Sequence, residues 1–182
     1  MDFYEAVHAR RSVRAFRPDP VPDDVMDRLL DAARWAPTGG NMQPWEFWVV
    51  RSRRAREGLV ATTWQGPDPE GGRPQSWMLG APVLVVACVN LRRAGARYGR
   101  KGFTVAAYFD LGAAIENLLL AVAAEGLGAC WVAGFHPDRA RAVLGLPEDL
   151  EPVALIPLGY PARVARPPYR LPLADIVRRV DD

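Results

Sequence analysis

Residues 82–89, PVLVVACV, form an unbroken run of β-branched and small apolar side chains. A strand with one wet face alternates apolar and polar residues, so a run without alternation fits a strand covered on both faces. Such a strand needs helices above and below its sheet, which restricts the chain to layered α/β or α+β architectures. Residues 110–124, DLGAAIENLLLAVAA, add a helix that is apolar nearly all round. A helix of that kind is buried in a large core or in a subunit interface. Asp110, Glu116 and Asn117 within it argue against a membrane span.

The other elements follow from local signals. Asp2 can cap a first helix whose Phe3, Ala6 and Val7 share a face. Pro22, Asp23 and Asp24 start a second, with Val25, Met26, Leu29, Leu30 and Ala33 as its apolar stripe. Residues 45–50, WEFWVV, read as a strand, and 53–62 as a polar helix. Residues 66–72, GPDPEGG, form a surface loop. The basic, aromatic stretch 92–103 is broken by glycines and reads as a loop or lid. Strands at 129–133 and 152–158 flank a short helix at 137–144. The expected fold is α+β: a central mixed β-sheet flanked by helices in three layers, with residues 1–182 forming one domain. Neither a GxGxxG after a strand nor a GxxxxGK[ST] occurs, which removes the Rossmann fingerprint and the P-loop.

Composition narrows the functional classes. The 23 basic and 21 acidic residues leave a net charge of +2, with no global pull toward nucleic acid or anionic membrane. Cys88 and Cys130 both lie in apolar runs, as buried core residues do, and His8 and His136 lack ligand spacing. Neither a disulfide framework nor a metal site is expected. The start, MDFYEAVHARR, lacks the apolar core of a signal peptide, so the expected compartment is a reducing cytoplasm. Lys101 is the only lysine, leaving 22 of the 23 basic residues as arginine. GC-rich coding explains such a skew, and so does bidentate binding of phosphate or carboxylate by some of the arginines.

Three segments combine unusual residues. In Arg10-Arg11-Ser12-Val13-Arg14, an extended backbone projects positions 10, 12 and 14 to one side, and a helix still puts Arg10 and Arg14 on one face. Either geometry concentrates donors where a phosphate could sit; the alternative is a solvated basic turn. In 36–45, APTGGNMQPW, two glycines permit close approach of a flat ligand, and Asn41 and Gln43 offer paired amide groups. An ordinary helix-to-strand turn would use the same residues. In 126–135, GLGACWVAGF, a strand ends at Gly134, where backbone N–H groups can face a ligand or simply form a tight turn.

Taken together, RRSVRAF, APTGGNMQPWEF, APVLVVACV, DLGAAIENLLLAVAAEGLGACWVAGF, LGLPEDLEPVALIPLGYPA and YRLPL resemble the FMN-dependent nitroreductase family over essentially the whole chain. The resemblance implies an interlocked homodimer with FMN at the subunit interface. Arg10 and Arg11 would meet the phosphate, Ser12 the ribityl or ring region, and Arg14 the pyrimidine edge. A cation there stabilises the anionic reduced flavin and raises its potential. Pro37, Thr38, Gly39 and Asn41 match a loop contributed by the partner subunit, and Ala133 and Gly134 match backbone amides facing the flavin N5 and O4 edge. Some family members carry glutamate at position 133, a difference that a backbone contact survives. Gln75 matches a pyrimidine-facing amide. Arg170 matches a phosphate clamp, with Arg166 or Arg11 standing in for a family basic residue replaced here by Pro168.

The implied reaction is ping-pong hydride transfer from NADH or NADPH, through flavin N5, to a nitroaromatic, quinone or related small acceptor. No catalytic side chain is required, because the flavin carries the chemistry. Tyr98, Phe103 and Tyr108 are the candidates to cover the acceptor. Two alternatives stand beside this reading. One is a specialised enzyme of the same fold, of dehalogenase, FMN-fragmenting or dehydrogenase type. The other is a non-enzymatic FMN-binding protein.

Overall fold

The computed structural model describes residues 1–180 except Asp68 and Val164, and Phe103 by its backbone alone. Its described strands β1 (Trp45–Val50), β2 (Val83–Asn90), β3 (Gly128–Ala129) and β4 (Leu150–Gly159) form one sheet in the order β1-β2-β4-β3. β2 lies in the interior of the sheet, antiparallel to both β1 and β4. Its successive side chains therefore enter two different cores. Val83, Val85, Ala87 and Val89 face helices α2 (Asp23–Arg34) and α5 (Ala107–Ala124). Leu84, Val86 and Cys88 face α3 (Arg53–Ala61) and α6 (Pro137–Leu144). Every one of these seven β2 side chains is fully buried. The unbroken apolar run and the three layers are thus one fact seen twice.

All pairings among the four strands are antiparallel. The parallel component of the expected mixed sheet is a single bridge, Ser12 to Ala129, outside the named strands. The strand expected over 129–133 is also shorter. β3 ends at Ala129; beyond it the chain stays tied to β4 by Cys130 N donating to Pro157 O at 3.2 Å and by the Val132–Leu155 bridge. Gly134 and Phe135 leave that edge to bind the end of α3, with Trp64 N donating to Gly134 O at 3.0 Å.

Helix α1 (Phe3–Ala9) begins at Asp2, whose carboxylate accepts from Glu5 N while the Glu5 carboxylate accepts from Asp2 N, both at 2.8 Å. The largest departure from expectation lies at 92–103. It folds as helix α4 (Leu91–Lys101), kinked at Gly99 (φ 54°, ψ −139°), as the glycines led one to expect, and capped by the Asn90 side chain on Arg93 N at 2.9 Å. A widened turn, Gly102–Ala106, joins it to α5. Tertiary ties hold the first turn of α4: Arg92 pairs with Asp149 at 3.1 Å and Arg93 with Glu46 at 2.7 Å. By length and composition, Thr104–Ala124 could cross a membrane. In this fold Leu111, Ile115, Leu118 and Val122 of that helix are buried in the core between sheet and helices. Each such side chain contributes about 1.5–3 kcal/mol through its removal from water.

Candidate cofactor site

The chain leaves α1 at Arg10 with φ −55° and ψ 130°, so the arginine-rich segment is extended rather than helical. Val13 points inward and is buried, whereas Ser12 and Arg14 point outward and are exposed. Gly128 makes that alternation possible, because a Cβ there would lie 2.7 Å from Val13 Cγ2. Val13 N donates to Ala129 O at 2.9 Å and Arg17 N to Tyr160 O at 2.8 Å, fixing the segment between the sheet edge and the chain beyond β4.

That placement brings the two ends of the chain together. Arg10, Arg11, Ser12, Arg14, Arg166, Pro168 and Arg170 line one cavity of about 370 Å³. The only ion pair involving these arginines among the described residues is Arg10 with Glu116, at 3.4 Å. Arg11 donates to His8 O and Arg10 O at 2.6 and 2.7 Å, closing the end of α1. Arg14 rests its guanidinium 5.8 Å from the Trp77 ring centroid. Several guanidiniums facing one space suit an anion such as a phosphate. Just behind it, burial pushes the Cys130 thiol above its usual range, opposed by the charge of Arg14. Burial likewise pushes Cys88 up to about 12. Both therefore stay protonated, as core residues rather than nucleophiles.

Ala133 is exposed and Gly134 half-buried, and among the described residues neither N–H has a protein acceptor. Gln75 stands beside them. Its Nε2 donates to Trp64 O at 2.9 Å, and its Oε1 accepts from Trp77 Nε1 at 3.3 Å. The amide expected to face a ligand thus ties its own loop to the strand end, and Trp77 links it to Arg14.

The loop with Pro37, Thr38, Gly39 and Asn41 lies elsewhere. Asp110 Oδ2 accepts from Thr38 Oγ1 at 2.8 Å and from Gly39 N at 3.2 Å. Asp110 and Glu116 are six residues apart on α5, about 9 Å along its axis and about 240° around it. The loop and the arginines therefore lie against different faces of that helix in one protomer. Arg97 and Tyr98 of α4 cover Gly40. Of the three residues expected to cover an acceptor, Tyr98 stands over this loop. Tyr108 does not: it packs on the core, and its hydroxyl donates to Glu151 Oε2 at 2.9 Å. The Phe103 side chain lies outside what the structure describes.

Sequence reasoning missed Asp110, Trp77 and Arg97 as parts of these clusters. The signal for Asp110 was present. Three polar residues interrupt an apolar helix, and each proves to hold another element: Asp110 the loop, Glu116 the Arg10 guanidinium, and Asn117 the Ala32 carbonyl at 3.3 Å. No cluster of metal ligands occurs among the described residues.

The family model described as "Nitroreductase family" matches residues 7–160. An NADH dehydrogenase of Thermus thermophilus is 33% identical, over 97% of this chain and 95% of its own length. A 5,6-dimethylbenzimidazole synthase of Rhodospirillum rubrum is 32% identical, over 84% of this chain and 78% of its own. A protein of Exiguobacterium sibiricum, solved in complex with FMN, shares the fold with a TM-score of 0.86, at 20% identity over 99% of this chain and 98% of its own. The sheet, the helices on both its faces and the full-length similarity lead to one statement: the chain belongs to the nitroreductase family and is an oxidoreductase.

Proposed function

We propose that the protein is a homodimeric, FMN-dependent reductase that takes hydride from NADH or NADPH and passes it to a nitroaromatic, quinone or related small acceptor. The observation that carries this reading is the cavity of about 370 Å³ walled by Arg10, Arg11, Arg14, Arg166 and Arg170. Its donors fit the phosphate of FMN, and the unpartnered N–H groups of Ala133 and Gly134 fit the polar edge of a flavin ring. Bound there, FMN would supply the redox chemistry, exchanging hydride with donor and acceptor in turn.

The chain's own residues would bind and orient. Arg10, Arg11 and Arg170 would hold the phosphate from the two ends of the chain, and Ser12 would face the ribityl or ring region. Arg14, steadied on Trp77, brings positive charge to the pyrimidine edge. The loop of Pro37, Thr38, Gly39 and Asn41 would reach this site from a second copy, since in its own protomer it lies against a different face of α5. Phe3, Trp35, Phe109, Tyr169, Leu173 and Ile176 are each more than 60% exposed, which fits a surface covered by that copy. The two buried free cysteines fit a reducing, cytoplasmic compartment.

The purified protein should be yellow with bound FMN, and NADH or NADPH should bleach the flavin band anaerobically. Colourless protein that binds no added FMN at micromolar concentration would overturn the reading. The 32% identity to the Rhodospirillum rubrum protein favours a second reading, 5,6-dimethylbenzimidazole synthesis. Bound FMN that neither nicotinamide reduces would favour it over the first.

A further inference from the structure

Loop 38–43 holds a backbone that its sequence alone would not keep. Gly40, Asn41 and Gln43 have φ of 58°, 56° and 47°. Glycine adopts this region freely and asparagine tolerates it, but glutamine rarely enters it. Such clustered departures persist only where the surroundings over-determine them. Here the surroundings are specific. Asp110 Oδ2 accepts from Thr38 Oγ1 at 2.8 Å and Gly39 N at 3.2 Å, and Thr38 Oγ1 in turn accepts from Gln43 N at 3.1 Å. One carboxylate, half-buried on a helix anchored by its neighbour Leu111, thereby ties both ends of the left-handed stretch. From the other side, Tyr98 Oη and Arg97 Nη1 stand 2.8 and 2.9 Å from where a Gly40 Cβ would be. The Asn41 side chain is exposed and bonds to nothing among the described residues.

We propose that Asp110 is a positioning residue for the flavin site: through Thr38 it latches loop 38–43 in the strained form that presents Asn41 and the loop backbone to FMN. The proposal rests on reading this loop as part of the FMN site. Without the latch the loop relaxes into other conformers, and apparent affinity falls by the fraction of time the competent one is lost. Among the described residues no other carboxylate bonds the loop, so Asp110 carries the tie.

The test is FMN titration of the full-length protein by fluorescence quenching, paired with hydrogen exchange at the Gly39 and Gln43 amides. Asp110→Ala should weaken FMN binding about tenfold, the scale of one lost charge-assisted contact expressed through the loop. Asp110→Asn, which keeps an acceptor oxygen, should restore affinity to within about twofold of wild type. Combining Asp110→Ala with Thr38→Val should fall well short of the sum of the two single effects, because both cut the Thr38–Asp110 bond while each also loses one of its own, to Gly39 N or from Gln43 N. A merely structural latch predicts lost amide protection and a lower melting temperature with FMN affinity unchanged; that result overturns the proposal, as do additive single effects. Wild-type protein that binds no FMN would overturn the functional reading and the cofactor role with it, while the exchange data still decide whether the latch exists.

Discussion

The arginine cradle and the latched loop are built on opposite principles. In the cradle the backbone is ordinary extended chain, and the side chains carry the tension: five guanidiniums line one cavity, with Glu116 the sole carboxylate paired to them among the described residues. In the loop the backbone carries the tension, with Gly40, Asn41 and Gln43 in the left-handed region and the Thr38 hydroxyl and Asp110 carboxylate holding it there. Like charges held together favour an anion and weaken with salt. A strained backbone held by short bonds favours one shape and hardly responds to salt. Two ways of preorganising a site therefore coexist on one scaffold, and ionic strength separates them.

The largest expected effect is on the cradle. Replacing Arg10 and Arg170 together by alanine should weaken FMN binding about a hundredfold at low salt, given about 1.5–3 kcal/mol for a hydrogen bond to a charged group. The dependence of affinity on salt should flatten in that variant and stay as in wild type for Asp110→Ala; equal flattening in both would erase the distinction. Next comes Gly40→Ala, which puts a Cβ at φ 58° against Tyr98 and Arg97. It should cost about 1–2 kcal/mol in denaturant-induced unfolding, mainly from the left-handed backbone, with no change in salt slope. Adding Tyr98→Ala should recover only the part due to the clash.

The smallest effect sharpens the contrast through an arginine that belongs to neither region. Arg28 bridges α2 and α5 by pairing with Asp24 and Glu125 at 2.9 and 3.0 Å. Its hydrogen bonds hold both carboxyls below their usual range. Depressed folded values mean stabilisation that is present above the unfolded carboxyl range, about pH 4, and lost as pH falls through the folded values. Arg28→Ala should move both carboxyl titrations up toward the ordinary range in NMR, and leave FMN affinity unchanged. A change in affinity would mean that arginines at large, rather than the cradle, set the binding.

Much of the fold could be read locally. The 82–89 run, the stripe of α2, the Asp2 cap and Pro137–Leu144 each encode their element through neighbours a few residues away, and each appears as expected. Helix α4 was hidden because its support is remote. Its glycines weaken a helix by about 1 kcal/mol each, and Gly99 does kink it, while the ion pairs that hold its first turn reach Glu46 and Asp149. The cradle was half legible. Arginines crowded at 10–14 mark themselves in the sequence, but that Arg166 and Arg170 meet them depends on the segment 160–162 pairing with 15–17. The latch was illegible as a pair, since Thr38 and Asp110 stand 72 residues apart.

By itself, the sequence determined the layers, the buried central strand and which arginines were unusual, because hydrophobic period and local crowding are properties of neighbouring residues. Only the tertiary structure decided what those residues do to one another. It put Gly128 under Val13 so that Ser12 and Arg14 face outward, closed the cradle from both ends of the chain, and set Asp110 against a loop that could not hold its own shape. The physical reason is reach: propensity and periodicity act over a turn or a few residues, whereas charge clustering and backbone strain depend on contacts that exist only once distant segments are packed together.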